Sequence, residues 1–167
     1  MTINSKYTRK IVIGRTETIH FMEMPVADVP AKVDTGAYRS SVHASNIKLS
    51  KKDGTLSFDL LGDHPVFSQA AERITTSNFS ISRVKNSSGE VEERYQVKLR
   101  VKVGTKIFWA DFTLADRSRM LYPILLGRTL LNGRFVVDPS QTAVDRLALK
   151  KEYGIEIPDD QEDSEEL

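Results

Sequence analysis

Ala31-Lys32-Val33-Asp34-Thr35-Gly36-Ala37 is the stretch on which the reading of this 167-residue chain turns. Apolar residues lead into a carboxylate at Asp34. Thr35 adds a hydroxyl able to tie a loop down. Gly36, with no Cβ, lets the backbone turn sharply and approach a substrate closely. Asp, Thr and Gly also build ordinary turns, so the surrounding chain has to decide between a turn and a site.

Working outward, strands dominate. Lys10 to Phe21 reads as a strand, a kink at Gly14 and a continuing strand. Pro30 to Asp34 is a short strand that ends on the carboxylate. Ser40 to Leu49 follows, then a hairpin signal at Asp53-Gly54, with Thr55 to Leu61 returning. Gly62 to Thr76 reads as irregular. Phe79 to Lys85 and Glu90 to Val103 form a long hairpin with a polar tip at Asn86-Ser87-Ser88-Gly89. Val97, Leu99, Val101 and Val103 alternate with the period of a half-buried strand. Gly104-Thr105 turns the chain into Lys106 to Ala115. Gly127 to Leu131 is a short helical turn, Arg134 to Asp138 a strand, and Thr142 to Tyr153 a helix. The expected class is all-β with minor helix.

Composition bounds the function. The chain has one domain's length and a core-sized apolar fraction of 40%. No cysteine is present, which excludes disulfides, a thiol nucleophile and thiolate metal sites. The start, MTINSKYTRK, is polar, and no apolar run reaches membrane-spanning length, so a cytoplasmic location without membrane contact is expected. The net charge of +1 conceals an asymmetry. Seven of the 23 acidic residues fall in Ile155 to Leu167, leaving 24 basic residues against 16, an excess of eight. A basic body with an acidic tail suits a polyanionic partner. No aromatic-basic platform accompanies it, so nucleic acid is not expected as that partner.

A second motif, Tyr122-Pro123-Ile124-Leu125-Leu126-Gly127-Arg128-Thr129-Leu130-Leu131, is similar to the apolar-Gly-Arg-x-Leu-Leu segment that closes the dimeric, viral-type retropepsins. Four segments in order, AKVDTGAYRSSVHA (31–44), VKNSSGEVEERY (84–95), TLADRSRMLYPILLGR (113–128) and FVVDPS (135–140), resemble the bacterial retropepsin-like family labelled "ATP-dependent zinc protease", which includes RimB-type proteins. The resemblance implies a retropepsin-like acid-protease β-barrel with one lobe per chain. It divides the chain into a flexible 1–9, a retropepsin-like 10–140, a C-terminal extension at 141–154 and an acidic disordered tail at 155–167. It also implies an aspartic endopeptidase that trims acidic, poly-glutamate protein tails. The label itself finds no support. The sequence has no Gly-x-x-x-x-Gly-Lys-Ser/Thr loop for ATP and no His-Glu-x-x-His, and His20, His43 and His64 lack metal-ligand spacing. No metal and no cofactor is expected.

Aspartic-protease chemistry needs two carboxylates sharing a proton, and this chain carries one Asp-Thr-Gly. A C2 homodimer with Asp34 from each copy at the axis is the simplest solution. The catalytic set is then Asp34, Thr35 and Gly36. Viral retropepsins follow Asp-Thr-Gly-Ala with acidic residues that pair with the later arginine; here Tyr38-Arg39 follows, leaving Arg128 without that partner and the pocket basic. Substrate-binding candidates are Ala37, Arg39, Lys85, Ser88, Gly89, Arg94 and Arg128, the arginines because their fork matches a carboxylate. Two alternatives remain open: a retropepsin-like module that binds acidic peptides without cutting them, and a metal-dependent peptidase as the label says.

Overall fold

Alternating apolar and polar residues decide most of the architecture. A computed structural model describes residues 9–25, 28–86 and 88–154. Residues 1–8 of the expected N-terminal extension, Ser87 of the polar tip and the acidic tail lie outside the described residues. In chain order the elements are β1 (Ile11–Ile13), β2 (Thr16–Phe21), β3 (Val29–Val33), β4 (Ser40–Ser50), β5 (Thr55–Leu60) and β6 (Glu72–Thr76). There follow β7 (Phe79–Lys85), β8 (Val91–Val103), β9 (Lys106–Ala115), β10 (Ile124–Leu126), α1 (Arg128–Leu131), β11 (Phe135–Val137) and α2 (Arg146–Tyr153). The molecule is mostly β with two short α-helices and one 3-10 turn at Ser68–Ala70.

The strands close on themselves. The order β10-β3-β2-β8-β9-β4 returns to β10, because β10 pairs parallel with β3 and antiparallel with β4. Such a ring leaves those strands no free edge. Outside it, β7 extends β8, while β5 and β6 extend the second half of β4. A separate parallel pair joins β1 to β11, with Val12 opposite Val136. The side chains predicted to face inward on β8, Val97, Leu99, Val101 and Val103, are buried, while Lys98, Arg100 and Lys102 are exposed. They meet Ile19, Phe21, Phe112, Ile124 and Leu126 in one core, with the Phe21 and Phe112 rings edge-to-face at 5.8 Å.

Two sequence expectations need correction. The stretch 62–76 is irregular only in its first part, since Glu72–Thr76 forms β6 against β5. Only Ile74 in that run is apolar, so an alternation signal is missing. The final helix begins at Arg146, four residues later than expected. Thr142 Oγ1 is engaged by Thr16 Oγ1 and the Val144 carbonyl, and Asp145 caps the helix by accepting from the Ala148 N–H at 3.0 Å. The helix ends at Gly154 in the left-handed conformation. Its Leu149 and Tyr153 bury a second small cluster with Leu121 and Tyr122, and the Tyr153 hydroxyl donates to the Leu121 carbonyl.

Candidate active site

β10 lies between β3 and β4, and this placement builds the site. Asp34 leaves the end of β3 with its N–H donating to the Leu126 carbonyl at 2.9 Å. The loop then crosses Gly127 closely. A Cβ there would sit 2.4 Å from the Arg39 carbonyl oxygen and 3.0 Å from that of Ala37, so no other residue fits without moving backbone. The Gly127 N–H donates to Ser40 Oγ at 2.9 Å, the Arg128 N–H to the Ala37 carbonyl at 2.8 Å, and the Thr129 N–H to the Tyr38 carbonyl at 3.0 Å. Two motifs roughly ninety residues apart in sequence are thus one interlocked unit.

Within that unit Asp34 is half-exposed. Its Oδ1 accepts from the N–H of Gly36 at 2.9 Å and of Ala37 at 3.1 Å, which fixes the carboxylate plane. No hydrogen bond from the described residues reaches Oδ2. Gly36 is close to the same oxygen, with a built Cβ 3.2 Å from Oδ1. Arg128, exposed at the start of α1, reaches back so that Nη1 donates to the carbonyls of Thr35 at 3.1 Å and Gly36 at 2.8 Å. In place of an acidic side chain, Arg128 holds loop carbonyls. Thr35 is exposed and lines an open cavity of about 730 Å³ together with Tyr38, Arg128, Leu131 and Phe135.

The remaining candidates divide between the sheet and the β7–β8 tip. Arg39 Nη1 donates to Gln96 Oε1 at 2.6 Å, and the same oxygen accepts from Ser82 Oγ at 2.9 Å. Arg39 and Arg128 both lie over the Tyr38 ring, 5.3 and 5.7 Å from its centroid. Arg94 is half-buried and pairs with Glu92 at 3.1 Å. At the tip, Asn86 Oδ1 accepts from the Ser88 N–H, the Ser88 hydroxyl and the Glu90 N–H, and Gly89 takes a φ of +88°. Lys85 passes beside Gly89, its Cε 3.8 Å from where a Cβ would be. The structure therefore gathers Asp34 to Ala37, Arg39 and Arg128 around one loop and leaves Lys85, Ser88 and Gly89 on the hairpin tip.

Arg117 and Gln96 are the polar residues at this face that sequence reading passed over. Arg117 sits in the polar run Asp116-Arg117-Ser118-Arg119, which looks like an ordinary loop, yet it is buried. Asp138, the other apolar-flanked aspartate, is occupied in a turn. It accepts from the Ser140 N–H and hydroxyl and from Gln141 Nε2, and the Ser140 bonds hold its carboxyl below the usual range.

The residues present do not fit a zinc site. His43 and His64 face one another with ring centroids 5.1 Å apart. His43 Nδ1 accepts the Arg117 N–H and its Nε2 lies 2.8 Å from the Gly62 carbonyl, while His64 Nδ1 accepts two backbone N–H groups. No imidazole lone pair at this cluster is left for a metal. Among the described residues no group of three or more His, Asp or Glu is placed to hold one. No helix among them is long and apolar enough to cross a membrane.

Comparison with known proteins follows the same lines. A family model described as "RimB-like: Retropepsin-like aspartic endopeptidase RimB" matches residues 12–147. The chain is 34% identical over 137 residues to a "Probable alpha-L-glutamate ligase" of Shewanella halifaxensis, covering 80% of this chain and 29% of that protein. It is 33% identical over 135 residues to a protein of the same name from Desulfotalea psychrophila, covering 78% and 28%. The chain thus spans under a third of the length of these curated relatives. A solved structure of a Legionella pneumophila protein of unknown function (DUF785) superposes with a TM-score of 0.63 at 29% identity, covering 79% of this chain and 95% of that one.

Proposed function

The chain belongs to the RimB-like family of retropepsin-like aspartic endopeptidases, and from that premise we propose that it hydrolyses peptide bonds in acidic, glutamate-rich protein tails as a C2 homodimer. The observation that carries the reading is the Asp34 loop. It holds one carboxylate oxygen with two backbone N–H groups and leaves the other without a bond from the described residues, on a mount braced by Gly127 and Arg128. Two such loops facing across a two-fold axis would bring two carboxylates together. Two like charges that close repel, so the pair would share one proton. The ionised Asp34 removes a proton from the attacking water. The protonated Asp34 polarises the scissile carbonyl and then protonates the leaving amine. The intermediate is a tetrahedral diol with no bond to the enzyme.

The surroundings support this reading in three ways. The cavity beside Thr35 adjoins the catalytic loop and offers a second copy a place to seat. The β7–β8 hairpin supplies a cover that could close over a peptide. Arg39, Arg94 and Arg128 give the acidic substrate its counter-charge. The much longer relatives carry the name of a ligase for alpha-L-glutamate, and a peptidase acting on glutamate chains is the reverse activity.

The test is hydrolysis of a peptide ending in several glutamates, followed by mass spectrometry, with wild type and Asp34→Asn. Cleavage by wild type and none by the variant is expected. Turnover by Asp34→Asn at wild-type rate would refute the role of Asp34, and binding without cleavage by wild type would favour a recognition module. Sedimentation of both proteins should show a dimer, and an active monomer would remove the two-copy mechanism.

A further inference from the structure

Arg117 is a buried cation with no counter-ion among the described residues. Its residue is 8% exposed. Nε donates to the Tyr122 carbonyl at 3.0 Å and Nη1 to Ser41 Oγ at 3.3 Å, and no carboxylate of the described residues pairs with it. An arginine buried in this way is costly unless something negative arrives. Burial, and then the charge of Arg94, push its pKa down to about 10, while the charge of Asp34 acts in the opposite direction. The neighbour is similarly incomplete. Arg94 Nη2 bonds Glu92, but its Nε is buried and unpartnered.

Sheet register explains why these groups meet. Ser41 on β4 lies opposite Thr113 on β9, which lies opposite Gln96 on β8. Those three form one row. Residues two positions along a strand point the same way, so His43 shares the face of Ser41 on β4, and Arg94 shares that of Gln96 on β8. Arg117 joins them from the loop after β9, through its N–H on His43 and its guanidinium on Ser41. Arg39 joins through Gln96. Three arginines therefore stand over one face of the sheet, next to the loop that carries Asp34.

We propose that Arg117 and Arg94 form a subsite for a side-chain carboxylate of the substrate, beside Asp34. The ligand is an acidic peptide, and a glutamate carboxylate would meet both guanidinium groups. This deepens the peptidase reading and rests on it only for the cleavage readout. Arg94 keeps a buried Nε without a partner, and Arg117 has no carboxylate partner among the described residues.

Two peptides differing by one Glu→Gln replacement provide the test, measured with the full chain. Wild type should prefer the glutamate peptide by about tenfold to a hundredfold in kcat/KM, the range of hydrogen bonds to a charged group. Arg94→Gln should cut that preference about tenfold, mainly through KM, with a smaller loss on the glutamine peptide than on the glutamate peptide. Arg117→Lys keeps the charge but loses the fork and should also lower the preference. Equal losses on both peptides would mean a structural role and would overturn the subsite. So would a wild type indifferent to the replacement. Fluorescence anisotropy of the same labelled peptides on Asp34→Asn separates the two readings. Selective glutamate binding that Arg94→Gln abolishes supports the subsite even without hydrolysis. Hydrolysis without selectivity overturns the subsite and leaves Asp34 in its role.

Discussion

The Asp34 loop and the Asn86 tip are built on the same local device and end up as opposite kinds of structure. In each, one side-chain oxygen accepts from backbone N–H groups two to four residues ahead. Around Asp34 the device is then locked by Leu126, by the close passage over Gly127 and by Arg128 on two carbonyls. Around Asn86 the described tip residues Ser88, Gly89 and Glu90 are exposed, and the turn is held by its own bonds. The same short turn is thus braced by other segments in one place and left exposed in the other, according to what lies behind it. On the proposed mechanism, catalysis needs the first to be rigid and is served by the second giving way.

The sharpest break of the comparison is Asp34→Asn. Asparagine keeps the oxygen that orders the turn, so the fold and dimer should persist while kcat falls by about a thousandfold or more. Asn86→Asp, the mirror exchange, should leave turnover within about threefold because no chemistry passes through it.

An acid-stability measurement comes next, because a loss of fold at low pH must be separated from a loss of turnover. Burial, followed by the nearby His43, holds the His64 imidazole down to about 4. Its folded value lies below its unfolded one, so the unfolded chain binds the extra proton between roughly pH 6.5 and 4. Stability is full above that window and is lost as pH falls through it, by about 3 kcal/mol at the lower end. Denaturant titrations at pH 7, 5.5 and 4.5 should show the decline, and His64→Asn should flatten it. An unchanged slope in the variant would clear His64 of the effect.

Gly127→Ala probes the mount. The added methyl meets the Arg39 carbonyl, and a loss of about 1–3 kcal/mol, read by thermal unfolding, is expected. Arg128→Gln should cost about 1 kcal/mol of stability through the lost carbonyl bonds and lower kcat more than it raises KM. Asn86→Ala should have the smallest effect on the fold, about 0.5–1 kcal/mol. It should raise KM a few-fold and speed amide exchange at Ser88 and Glu90. Should it instead reduce stability as much as Gly127→Ala, the two turns would not differ as described.

Sequence carried far into this fold where the signal was local. Val97 to Val103 alternate, Gly104 turns the chain, and β8 and β9 follow. The same rule missed β6, where Glu72, Arg73, Thr75 and Thr76 surround a single Ile74. It also began α2 early, because Thr142, Ala143 and Val144 are held out of the helix by Thr16, 126 residues away from Thr142. The site was half legible. Asp34, Thr35 and Gly36 announce themselves as a motif, and Gly127-Arg128 as a second. Arg117 gives no sign, since a lone arginine in a polar run is the commonest kind of surface residue.

By itself, then, the sequence determined most of the strands and turns and the Asp-Thr-Gly motif, because each is written in neighbouring residues through side-chain size, polarity and backbone freedom. The tertiary structure decided which of two similar turns is packed into the sheet, that Arg128 braces loop carbonyls, and that Arg117 is buried against Ser41 and Tyr122. Those outcomes depend on β10 threading between β3 and β4. Burial and hydrogen-bond partners are properties of segments brought together across long loops, and no local pattern encodes them.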